Sequence, residues 1–164
     1  MLCLFSPVNV GRPVIQATAS KRVTLQDLPS ELQEQLEQTV CTDDLCTVKI
    51  FQVSSVSNGL ATIQCNNAYP MQWDDREMPL FFVVRKIVRC RHVCYFYGTV
   101  LKTSFFDRRY WGYVCHENED NKVVSCSETS IDCIFLDNRP VVVYECDGEL
   151  VSVVQYGIFP DELV

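Results

Sequence analysis

The chain has 164 residues, 48% of them hydrophobic and 21% charged, with a net charge of −7. That length suits one domain or two very small ones with a sizeable core, and the composition excludes general disorder. A pI near 4.8 argues against non-specific coating of DNA or anionic membrane, and the longest apolar run is far too short to span a bilayer.

Residues 1–27 read as an N-terminal arm or one loose strand, with Val-rich pieces at 7–10 and 13–15. Residues 28–40 predict the single helix. Ser30 and Gln33 suit a capping box, Glu31 and Glu34 suit the positive end of the helix dipole, and Leu28, Leu32, Leu36 and Val40 recur every four residues. A narrow apolar stripe of this kind predicts a helix lying across a sheet. From Thr47 onward the sequence reads as strand, over 47–56, 60–66, 80–88, 93–103, 110–116, 122–125, 131–136, 141–146 and 149–156. Ser57-Asn58-Gly59 and Asp147-Gly148 mark hairpin turns, while residues 71–77 and the acidic run 117–121 read as loops. The pattern predicts a mainly β fold, a small antiparallel barrel or sandwich with one N-terminal helix. It is compatible with two β units, 44–88 and 93–158, or with one domain over 28–158.

Charge is distributed unevenly. Residues 79–114 carry Arg85, Lys86, Arg89, Arg91, Lys102, Arg108 and Arg109 against the single acid Asp107, a local charge of +6 that leaves −13 for the rest. Eight of the 18 aromatics fall between Tyr95 and Tyr113, so cations and rings are interleaved. Arginine among aromatics on strands is what single-stranded nucleic acid requires, cations meeting phosphates and flat rings meeting bases. Alternation places Tyr95 and Tyr97 on one face of their strand, and Trp111 and Tyr113, separated by Gly112, on one face of the next. Arg108 and Arg109 precede that strand, within reach of a phosphate, and Lys102 and Arg91 extend the cationic set.

Ten cysteines are present, yet the N-terminus has no basic region followed by an apolar run of signal length, and no Asn-x-Ser/Thr acceptor occurs. Most of the cysteines sit inside apolar runs, where a free thiol behaves as a small hydrophobe. The expectation is an intracellular, cytoplasmic protein with reduced thiols. Cys90, His92, Cys94, Cys115 and His116 are soft ligands, and Cys41 and Cys46 a further pair, but none forms the tight knuckles of structural zinc. Neither metal nor cofactor is expected. No nucleophile elbow, phosphate loop or His-Glu-x-x-His occurs either, so no catalysis is expected.

Gly98-Thr99-Val100, then Trp111-Gly112-Tyr113-Val114, then Ile131-Asp132-Cys133-Ile134-Phe135-Leu136 resembles the succession of motifs in the cold-shock domain. The resemblance covers residues 93–158 and implies an OB-type β-barrel that binds single-stranded RNA or DNA through stacked rings. Lys102 stands where that family presents a stacking Trp, Ile134 and Leu136 replace an aromatic and a His, and residues 117–130 form an acidic insertion. The carry-over is therefore confined to Trp111 and Tyr113. The first functional expectation is a non-catalytic module for single-stranded nucleic acid, RNA above all. The second is a protein-interaction adaptor built on a Tudor-like or degenerate OB-like barrel, with the basic stretch balancing the chain's own acids.

Overall fold

A computed structural model describes residues 16–18, 20–40 and 47–153; the Val-rich pieces at 7–10 and 13–15 and the last three residues of the strand expected over 149–156 lie outside them. The described chain is mainly β. It runs β1 (Gln16–Thr18), β2 (Lys21–Val23), α1 (Ser30–Thr39), β3 (Ile50–Val53), β4 (Ser55–Ser57), β5 (Thr62–Gln64), β6 (Ala68–Trp73), β7 (Pro79–Cys90), β8 (Val93–Asp107), β9 (Gly112–Ser127), β10 (Val142–Cys146) and β11 (Glu149–Val153). Every pairing is antiparallel.

The expected helix is present and its stripe is buried, with Leu32 and Leu36 fully enclosed and Leu28 and Val40 nearly so. The expected capping box is not. Pro29 occupies the N-cap and Gln33 instead donates its side-chain amide to the Leu28 carbonyl. Reciprocal capping occurs one turn earlier, where Thr24 and Asp27 cap a short 3-10 turn. The hairpin signals hold. β4 and β5 flank the 57–61 turn, and Asp147 and Gly148 both take the positive φ of a tight primed turn between β10 and β11.

Three expectations are corrected. The acidic run 117–121 is part of β9, whose ladder continues from Glu117 opposite Leu101 to Asn121 opposite Thr99. Residues 118–120 fill on β9 the gap that Val100 alone fills on β8, so the acids bulge out of the strand without ending it. Residues 131–136 do not form a strand: Glu128–Cys133 is a 3-10 segment, started by the Ser127 hydroxyl accepting from the Thr129 amide. Finally, the sheet is not closed into a barrel. Eight strands pair in the order β10-β11-β9-β8-β7-β3-β2, with β6 added to the first half of β7. A single bridge, Val141 N–H to the Ala68 carbonyl at 2.8 Å, brings the β10 end beside β6 without a ladder. The ladder stops there because Asn66 turns at φ +67 and links β6 to β5, which belongs to a second, three-stranded sheet in the order β1-β4-β5.

Three apolar clusters divide the core. The first, around Phe82, Phe96, Ile63 and Phe135, lies between the two sheets. The second holds α1 against Val88, Cys90 and Tyr95 on the other face. The third, Phe81, Leu101, Tyr113 and Cys115, fills the far end of the main sheet. β8 contributes to all three. Its backbone comes close to β7 at one place: Arg85 bulges out of the β7–β8 ladder, and a Cβ on Gly98 would collide with the Val83 carbonyl.

Gly98→Ala should therefore cost about 1–3 kcal/mol or more, because the obstacle is backbone rather than a movable side chain. Leu32→Ala and Leu36→Ala should each cost about 2–5 kcal/mol through lost burial and a residual cavity. Urea denaturation of the three variants checks both figures; parental midpoints would show that α1 and the β7–β8 contact are dispensable.

Candidate functional site: the β8–β9 hairpin tip and an adjoining cleft

Residues 107–112 form the tip of the β8–β9 hairpin, and the aromatic-basic sequence converges there. Asp107 organises it. Its buried carboxylate accepts from the Arg109 amide (2.9 Å), Nε (3.2 Å) and Nη2 (2.8 Å), folding the arginine back over its own turn. Arg109 then lies 5.3 Å from the centre of the Tyr110 ring. The Tyr110 hydroxyl donates to Asp147 at 3.0 Å, tying this tip to the β10–β11 turn. Trp111 takes φ +53, which swings it out of the strand alternation that begins at Gly112. It is 48% exposed and meets Phe106 edge-on at 5.6 Å; Phe106 in turn meets Tyr113 edge-on at 5.1 Å. The rings thus form a column leading inward rather than an open platform.

The expected site residues fall in three places. Trp111, Arg108 and Arg109 share the tip. Lys102 is exposed further along β8, opposite His116, above a shallow depression of about 460 Å³ with Asp74 and Arg76. Arg91, Tyr95 and Tyr97 lie at the other end of β8: Arg91 at φ +56 in the β7–β8 turn, Tyr95 and Tyr97 beneath α1. Two of the expected stacking rings are unavailable. Tyr113 is fully buried in the third cluster, and burial pushes its hydroxyl up to about 12. Tyr95 is buried with its hydroxyl 2.7 Å from the Thr39 hydroxyl of α1. Tyr97 is half-buried and accepts from the Asn121 side-chain amide. On β8 the faces read from alternation are right, with Tyr95 and Tyr97 toward α1 and Cys94 and Phe96 toward the second sheet, so both faces of this end are covered; Trp111 does not share a strand face with Tyr113 because β9 begins only at Gly112.

The basic stretch meets acids from inside and outside itself. Arg85 lies 3.8 Å from Glu117, Arg89 3.7 Å from Glu128, and Arg109 2.8 Å from Asp107. Among the described residues no group of three or more His, Cys, Asp or Glu side chains is placed to hold a metal ion. Burial pushes the Cys94 thiol up to about 12 and the Cys126 thiol to about 11, values at which the reactive thiolate is scarce.

A feature with no signal in sequence is a cleft of about 530 Å³ at the open seam between β6 and β10, walled by Ala68, Val83, Leu101, Val143 and Leu150 with Arg85 and Glu117 at its rim. It arises from three separate choices: the Asn66 turn, the Arg85 bulge and the single Val141 bridge. Comparison with family models, curated proteins and solved structures finds no match to this chain. No helix in the described residues is long and apolar enough to cross a membrane.

Five aspartates carry depressed pKa values through hydrogen bonds to their ionised form. The Arg109 side chain holds Asp107 down and the Arg139 side chain Asp137; the Met78 amide does the same for Asp74, the Thr24 amide for Asp27 and the Asn58 side chain for Asp132. Each contributes stability that is present above the ordinary carboxylate range and lost as pH falls through the lower folded value. Thermal melts should stay level from pH 7 to about 5 and then decline, with Asp107→Asn showing a smaller acid loss than the parent. An unchanged acid profile in Asp107→Asn would show that the Asp107–Arg109 contact is not maintained in solution.

Proposed function

We propose that this chain is a non-catalytic protein-interaction module, a β adaptor that engages its partner through the β8–β9 hairpin tip. The observation that carries this reading is the split of the aromatic set. Tyr113 and Tyr95 are in the core, while Trp111, 48% exposed, leaves apolar surface at the tip beside Arg108 and Arg109. Trp, Tyr and Arg on one projecting turn are the side chains that dominate protein interfaces, and Trp111 is braced from behind by Phe106, so little freedom is lost on docking. Pairing of Arg85, Arg89 and Arg109 with acids of this same chain supports the view that much of the basic stretch balances internal charge. An intracellular, reducing location belongs to the proposal and suits the seven free cysteines among the described residues.

A second reading, single-stranded nucleic acid at the same tip, is favoured by the exposure of Arg108 beside Trp111. One ring could stack on one base, giving RNA contact without a continuous platform. The cold-shock resemblance carried by the motifs around Gly98 and Trp111 belongs with this second reading, and the degenerate OB-like form with the first.

Affinity capture from cytosol, with the retained material separated into protein and RNA and the retained protein then titrated in purified form, distinguishes the two. On the first reading Trp111→Ala weakens binding of the purified partner by about 30-fold or more, the effect of losing a hot spot of about 2 kcal/mol. Binding should then respond weakly to salt. On the second reading, mixed-sequence single-stranded RNA binds at low salt, and Arg108→Ala flattens the salt slope by about 0.7. Binding of neither class, or binding indifferent to Trp111→Ala, sinks the proposal.

A further inference from the structure

The two edges of the main sheet are guarded unequally. β2, at one end, is three residues long and exposes Lys21 and Arg22, a short charged edge of the kind that discourages strand pairing. β10, at the other end, reads Val142-Val143-Tyr144-Glu145-Cys146, with no lysine, proline or bulge and with Val142 half exposed. Among the described residues no strand forms a ladder on its outer side.

The tight turn at Asp147-Gly148 fixes which backbone groups point where. A two-residue hairpin makes Cys146 and Glu149 a hydrogen-bonded pair, so Cys146, Tyr144 and Val142 direct their amides and carbonyls to β11 while Glu145 and Val143 direct theirs outward. Val141 is next in the outward series, and it donates to the Ala68 carbonyl. Beyond that bond β6 has no further residue to offer, since Asn66 turns away. The outward groups of Val143 and Glu145 therefore face the seam, and Val143 lines the cleft, whose apolar walls include Val83 and Leu101. Arg85 stands at the rim, 44% exposed and 3.8 Å from a Glu117 that is itself 58% exposed, a pairing that an incoming carboxylate can replace at little cost.

We propose that the outer edge of β10 and the cleft beside it bind an extended peptide strand of a partner protein. The strand hydrogen-bonds to the backbone of Val143 and Glu145, lowers one apolar side chain into the cleft over Leu101, and sets an acidic side chain on Arg85. Main-chain pairing supplies affinity, and the cleft and the arginine supply selectivity. The proposal rests on the protein-interaction reading but uses a surface distinct from the hairpin tip.

The probe is a set of fluorescein-labelled ten-residue peptides in which Val or Phe alternates with Ser or Thr. One polar position is replaced by Asp, stepped along the peptide, with a matched set carrying Lys. Fluorescence polarisation should show saturable binding of at least one Asp peptide and at least tenfold weaker binding of its Lys counterpart. Arg85→Glu should reverse that preference. Val143→Pro removes the outward donor while leaving the inward pairs with β11 intact, and should abolish binding. Hydrogen exchange adds a readout that needs no variant: the Val143 and Glu145 amides should exchange freely in the protein alone and slow on peptide addition. The proposal falls if no peptide binds, or if Arg85→Glu and Val143→Pro melt like the parent and leave binding unchanged. It falls equally if those two amides are already protected in the monomer, which would mean that this chain covers its own edge. Concentration-dependent dimerisation removed by Val143→Pro, without peptide binding, assigns the edge to a second copy and also overturns it. A partner whose capture depends on Trp111 but not on Val143 would leave the adaptor reading standing and remove strand addition alone.

Discussion

A strand has two faces, and in this protein β8 must bury both. Cys94 and Phe96 turn to the cluster between the sheets, Tyr95 and Tyr97 turn to α1, and Leu101 descends into the third cluster. Fifteen residues of β8 therefore specify where the helix lies, where the second sheet lies and where the main sheet must coil. Both of its neighbours accommodate this demand by bulging, β7 at Arg85 and β9 at residues 118–120. The surface that remains for binding is what β8 leaves over, namely its exposed tip and the seam where the strands run out.

The same constraint explains the charge pattern. The arginines of β7 meet acids from neighbouring elements: Arg85, at the bulge, faces Glu117 of β9, and the half-buried Arg89, between β3 and β8, faces Glu128 of the 3-10 segment. A run of cations in sequence is thereby dispersed in space. What stays concentrated is the tip, because its turn is short and Asp107 holds Arg109 in place.

Elements written as local pattern were legible in the sequence. The four-residue recurrence of Leu28, Leu32, Leu36 and Val40 gave the helix and its buried face, and Asp147-Gly148 gave the hairpin. Elements defined by a neighbour were not. Residues 117–121 look like a loop by composition and form strand because β8 supplies a ladder on which acids can bulge. Residues 131–136 look like a strand by apolarity, but Asn58 donates to Asp132 and Ile131 and Phe135 drop into the first cluster, which suits a compact 3-10 turn. For the site, alternation groups Tyr95 with Tyr97 on one face of β8 but carries no information about what covers that face. The cleft is illegible for a related reason: its walls come from β6, β7, β8, β10 and β11, and it exists only because two of those strands fail to pair.

Cys94 and Cys126 stand directly opposite each other on β8 and β9. Facing residues of antiparallel strands have Cα atoms about 4.5–5.5 Å apart, inside the span a disulfide tolerates. Distance alone would permit them to join. Burial opposes this by holding both thiols protonated, Cys94 with its pKa pushed up to about 12 and Cys126 to about 11, so the reactive thiolate is scarce. Burial thus slows their joining, and any event that opened this part of the sheet to water would remove that obstacle at the same moment that it loosened the strands.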